Sequence, residues 1–104
     1  MWGRRAAEGT LSDVSGSTIV VTGGARGIGR GIVRILLERG ARVVSLDIDG
    51  EAGQAAAAAD GVLGSVWFVR SDVAEEAEVR NAFRSIRDEV GPVAGLVNNA
   101  GISD

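Results

Sequence analysis

The sequence predicts an α/β fold, a doubly wound parallel sheet with helices on both faces. Four short apolar runs alternate with stretches whose apolar residues recur at helical spacing, and a glycine-rich turn follows the first run at once. Asp47, Asp72 and Asn98 stand at or just beyond the ends of the later runs. The order βαβαβαβ requires crossovers. Right-handed ones place the carboxyl ends of all the strands, where such sheets bind ligands, on one edge. They also give the strand order 3-2-1-4.

Residues 1–15 read as a flexible polar extension, with Arg4 and Arg5 as solvated charges because no apolar run of signal-peptide length follows them. The partial domain then occupies 16–104. Thr18-Ile-Val-Val21 is a β-branched run, the pattern of a strand buried on both faces. Ile28, Ile32, Ile35 and Leu36 fall on one face of a helix with Arg30, Arg34 and Glu38 opposite, and Gly40 stops it. Arg42 to Leu46 forms a second strand ending at Asp47. Glu51 to Ala59 forms a short helix of alanine filler weakened by Gly53. Ser65 to Val69 is a third strand, and Val79, Ala82, Phe83, Ile86 and Val90 mark the stripe of a third helix. Gly91-Pro92 closes that helix, because proline has no amide proton to continue the ladder. Val93 to Val97 is a fourth strand, apolar on both faces, running into Asn98.

Composition removes several classes of function. With no Cys and no His among 104 residues there is no disulfide framework, no metal site of the usual ligands and no Ser-His or Cys-His pair, and a reducing cytoplasm is the expected location. A net charge of -3, few aromatics and no basic stripe argue against a nucleic-acid surface, and no segment approaches a membrane span.

The turn Thr22 to Gly29, TGGARGIG, carries the chemistry. A strand passing directly into a helix leaves the first helical amides unpaired and partially positive, a ready site for a pyrophosphate. Gly23 supplies a positive φ, Gly27 lets phosphates approach the backbone, and Gly29 lets the helix pack against the first strand. A Walker A loop from Gly24 fails twice, at Arg30 and Gly31. A G-x-G-x-x-G fingerprint from Gly27 fails at Ile32. Gly27, Gly29 and Gly31 also satisfy a methyltransferase-like G-x-G-x-G, and Asp47 serves a ribose in either kind of site.

Taken together, Thr22-Gly23-x-x-x-Gly27-Ile28-Gly29, Asp47, Asp72-Val73 and Asn98-Asn99-Ala100-Gly101 resemble the short-chain dehydrogenase/reductase family, from about Leu11 to the end. The resemblance implies a Rossmann-type sheet and a dinucleotide cofactor. In such proteins the turn Gly23 to Gly29, including Ile28, binds the pyrophosphate, and an acid at Asp47 binds the adenosine ribose. A carboxylate there repels a 2′-phosphate and favours NAD over NADP. Arg26 points the other way, as many NADP-preferring relatives are basic there, unless it simply pairs with a nearby acid. Asp72 and the Val73 backbone are implied at the adenine, although Asp72 with Glu75 also fits a capping box. Asn98 is implied near the cofactor ribose and Ala100-Gly101 near the nicotinamide, with Asn99 as a structural tie.

The family's catalytic Tyr, Lys, Ser and Asn would all lie beyond Asp104. This chain has no Tyr, its eleven basic residues are all Arg, and Ser103 comes too early, so no catalytic residue is assigned. The expectation is the cofactor-binding portion of an NAD-dependent oxidoreductase, inactive alone and prone to self-association. Its parent would act on a small alcohol or carbonyl as a homo-oligomer. A noncatalytic nucleotide-binding module and an S-adenosylmethionine-dependent methyltransferase fragment are the alternatives.

Overall fold

The computed structural model describes residues 14–100. Its elements follow the expected order: β1 (Thr18–Thr22), α1 (Gly27–Glu38), β2 (Arg42–Asp47), α2 (Gly50–Asp60), β3 (Val66–Arg70), α3 (Glu76–Glu89) and β4 (Val93–Asn98). All neighbouring strands pair in parallel, in the order β3-β2-β1-β4. Of the extension expected over 1–15, residues 1–13 lie outside the described residues. Val14 packs against the core, and the Gly16 amide donates to the Gly40 carbonyl at 2.9 Å.

Strand periodicity divides the core between two faces. Ile19, Val21 and Val43 meet Val33 and Leu37 of α1, whereas Val20, Val44 and Leu46 meet Ala82 and Ile86 of α3. Both central strands are apolar because both of their faces are covered, and each buried Val or Leu contributes roughly 1.5–3 kcal/mol.

The buried stripe of α1 differs from the expected one. Ile28 and Ile35 are 70% and 53% exposed, and the buried residues are Gly29, Val33 and Leu37, with Ile32 and Leu36 partly covered. Gly29 sets the rotation. A Cβ there would stand 1.9 Å from the Gly23 carbonyl oxygen, so only glycine lets the helix lie this close to the end of β1. Glycine adds nothing to a hydrophobic pattern, which is why the apolar spacing alone picked a neighbouring face. The helix stops at Gly40 as expected, with φ +87 and bonds from Gly40 N to Leu37 O and Ala41 N to Leu36 O, both 3.0 Å, forming a Schellman motif.

Gly53 also has a packing reason. A Cβ on it would fall 1.9 Å from the Phe68 ring, so the residue read as a weak point is where α2 settles on β3. At the end of α2, Asp60 is 2% exposed and accepts two bonds from Arg30, at 2.9 and 3.1 Å, with Arg34 at 3.7 Å. Hydrogen bonding to Asp60, and then its charge, raise the Arg30 pKa above its ordinary value. Arg30, expected on the solvent face, therefore clamps α1 to α2.

The capping box expected from Asp72 and Glu75 does not form. Asp72 Oδ1 accepts from the Ala74 amide at 3.0 Å, its carbonyl accepts from Glu75 N at 2.9 Å, and α3 begins only after that turn. Glu78 instead reaches back to accept from the Asp72 amide at 2.9 Å. Beyond α3, β4 pairs with β1 through a register shift that skips Ala94, and Leu96 on this strand is 54% exposed.

Candidate functional site

The strand ends converge as the topology requires. After β1 the chain turns at Gly23, φ +70, whose amide donates to the Leu46 carbonyl at 2.7 Å. Gly27, φ +61, has no atom within 4 Å of where a Cβ would be, so the backbone lies open there. Arg26 is the N-cap of α1 in an extended conformation, yet no side chain caps the helix and no acid lies in its first turn. By contrast α2 has Asp49 and Glu51, and α3 has Glu76 and Glu78. The positive end of α1 thus has neither a capping side chain nor a nearby acid to offset it.

Thr22 fixes the neighbouring wall. Its Oγ1 accepts from the amides of Asn99 and Ala100, both at 2.9 Å, and donates to Asn98 Oδ1 at 3.1 Å. Asn99 Nδ2 donates to the Gly23 carbonyl at 3.2 Å, so Asn99 ties the end of β4 to that of β1. At the end of β2, Asp47 Oδ2 accepts from Ala25 N and Oδ1 from Asp49 N, both at 3.1 Å. Each carboxylate oxygen retains a second acceptor position for a hydroxyl donor. Arg26 pairs with Asp49. The Ala52 amide first, and Arg26 after it, hold the Asp49 carboxyl below its ordinary value of 3.8 against a desolvation that acts the other way.

These groups surround an open cavity of about 700 Å³, within the usual range for small-molecule sites. Its walls are Gly23, Arg26, Gly27 and Ile28 from the turn, Leu46 and Asp47 from the end of β2 with Ile48 just after it, Ser71, Asp72 and Val73 after β3, and Asn99 and Ala100 after β4. Of the residues predicted from sequence, Gly29 lies beneath the turn, Asn98 faces the Thr22 hydroxyl without lining the cavity, and Gly101 lies outside the described residues. Leu46, Ile48, Ser71 and Asn99 join the lining without having been assigned to it. Ile48 had a signal, an apolar residue between two acids. Ser71, 2% exposed and with its hydroxyl unpartnered, had none. Gly31 is exposed on α1 and does not line the cavity, so the third glycine of the G-x-G-x-G spacing plays no part in the turn. Among the described residues no group of acids could hold a metal, and no helix is long and apolar enough to cross a membrane.

Residues 17–104 match the family model described as short chain dehydrogenase. Over 92 residues the chain is 44% identical to 2,5-dichloro-2,5-cyclohexadiene-1,4-diol dehydrogenase of Sphingobium indicum, covering 88% of this chain and 36% of that protein. It is 40% identical to human 15-hydroxyprostaglandin dehydrogenase (NAD(+)) over 94 residues, covering 88% of this chain and 35% of the relative. Among solved structures, the Pseudomonas aeruginosa RhlG/NADP active-site complex superposes with a TM-score of 0.82 at 35% identity, over 89% of this chain and 38% of that one. The chain therefore spans roughly a third of the length of these relatives.

Proposed function

Because the chain belongs to the short-chain dehydrogenase family, we propose that these residues form the dinucleotide site of an oxidoreductase and prefer NAD to NADP. The observation that carries the reading is the meeting, in one cavity, of the uncapped α1 N-terminus over an open Gly27 with the Asp47 carboxylate. The residues fit the cofactor. A Cβ at position 27 would occupy the space a phosphate needs, and Asp47 keeps free acceptor positions for two ribose hydroxyls. One relative is named for NAD and one structure for NADP, so cofactor choice rests on this chain's own residues. Asp47 repels a 2′-phosphate at the ribose itself, while Arg26 is neutralised by Asp49.

The Gly23 to Gly29 turn would hold the pyrophosphate, Asp47 the adenosine ribose, and Ile48, Asp72 and Val73 the adenine. Asn98 would lie near the cofactor ribose and Ala100 near the nicotinamide. When bound, the cofactor would supply a hydride to a carbonyl carbon or accept one from an alcohol carbon in the whole enzyme. This chain's residues bind and orient it. They include no Tyr and no Lys, so no group here takes the acid/base role and the chain alone turns nothing over. A cytoplasmic location belongs to the same proposal.

Calorimetric titration with NAD⁺, NADP⁺ and S-adenosylmethionine tests the reading. NAD⁺ should bind most tightly. Equal affinity for the two dinucleotides would refute the preference, and tighter S-adenosylmethionine binding would refute the dinucleotide site.

A further inference from the structure

One residue beside Asp47 is committed in three directions. Asp49 donates its amide to Asp47 Oδ1 at 3.1 Å, accepts from the Ala52 amide at 3.0 Å as the cap of α2, and binds Arg26 through its remaining oxygen. Arg26 is the only cation lining the cavity among the described residues. A guanidinium at that rim is the group a ribose phosphate would seek, since it presents a fork of donors matched to phosphate. In this chain it already has an anion.

We propose that Asp49 is a specificity-determining residue of the dinucleotide site, holding Arg26 away from a ribose 2′-phosphate and Asp47 toward the ribose hydroxyls. The proposal rests on the dinucleotide reading and extends it. Asp47 disfavours a 2′-phosphate at the ribose, but a free Arg26 at the rim would offset part of that repulsion. With Asp49 the three side chains carry a net -1, and a 2′-phosphate can recruit Arg26 only by leaving Asp49 unpaired. The pair is solvent-accessible, with side-chain exposures of 68% and 38%, so its effect is screened and modest.

The test is Asp49→Asn. The substitution keeps the size, the cap and the backbone amide that positions Asp47, and removes only the charge. Dissociation constants for NAD⁺ and NADP⁺ are measured by calorimetry on the unmodified chain, on Asp49→Asn, and on Asp49→Asn in an Arg26→Ala background. Thermal melting verifies the fold, and Asp49→Ser, which also caps, stands in if the first variant melts early. NADP⁺ should tighten relative to NAD⁺ by about two- to fivefold, the scale of a screened surface pair. Most of that gain should vanish without Arg26. An unchanged ratio of the two affinities overturns the proposal, as does an equal gain in the absence of Arg26. If the unmodified chain binds neither dinucleotide, the dinucleotide reading itself fails and the inference falls with it. Binding of NAD⁺ with no response to Asp49→Asn overturns the inference alone.

Discussion

Gly29 and Gly31 lie two residues apart on α1, and the same substitution at each should act in opposite directions. At Gly29 an added Cβ would stand 1.9 Å from the Gly23 oxygen and 2.6 Å from Asn99 Nδ2, both inside van der Waals contact. Because the first obstacle is backbone, relief requires α1 to retreat from β1, loosening Val33 and Leu37 and straining the 3.2 Å Asn99 to Gly23 bond. Overpacking of this kind costs about 1–3 kcal/mol and the weakened hydrogen bond about 1 kcal/mol, against a helix-propensity gain of about 1 kcal/mol. Gly29→Ala should therefore lose about 1–3 kcal/mol net of stability. At Gly31 nothing lies within 4 Å of the added atom and φ is not positive, so Gly31→Ala should gain about 0.5–1 kcal/mol. Urea unfolding followed by far-ultraviolet circular dichroism measures both. A Gly29→Ala variant as stable as the parent, or two changes of the same sign, would refute the packing account of the turn.

Gly53→Ala should destabilise by about 1–3 kcal/mol despite alanine's better helix propensity, because the methyl group enters the Phe68 ring; a stabilised variant in the same urea assay would contradict the packing. Asp47→Ala should narrow or reverse the difference between NAD⁺ and NADP⁺ affinities, and a calorimetric ratio that stays put would remove Asp47 from the ribose. NADH mixed with a panel of ketones should not be oxidised by the chain above a heat-treated control, since positioned acid/base groups worth about 10²- to 10⁴-fold are missing; clear turnover would overturn the proposed division of labour. Leu96→Lys should reduce self-association in sedimentation velocity across a concentration series, because it puts a charge on an exposed β4 position; an unmodified chain that stays monomeric would show that this strand needs no partner.

The sheet order was legible because it follows from alternating periodicities and the handedness of crossovers, and both survive small errors in element ends. The third strand shows how small they were: it was read as Ser65 to Val69 and runs over Val66–Arg70. The apolar spacing missed the face of α1 although the turn motif had already put Gly29 against β1, because a glycine adds nothing to a hydrophobic count. The role of Gly53 was misjudged for the same reason: propensity scores a glycine by its helix, whereas its value here lies in the Phe68 ring of another element. At the cavity, residue identity and position singled out Asp47, Gly23 and Gly27, which do line it. Thr22 as a junction and Asp60 as a buried anion depend on partners 77 and 30 residues away, which local pattern does not report.

The Arg30 and Arg34 clamp on Asp60 lies near the glycine turn in sequence, three residues beyond Gly27 at its nearest. Together with Gly29 seated on the Gly23 carbonyl and the closed C-terminal end at Gly40, it holds α1 at both ends and along its length. The first amides of the helix are therefore oriented before any ligand arrives. In the proposed dinucleotide site a phosphate group reaching them would find dipoles already aligned, with little conformational freedom left to lose on binding. Substitutions at Asp60, which never lines the cavity, should then weaken ligand affinity chiefly by letting the turn fluctuate rather than by removing a contact.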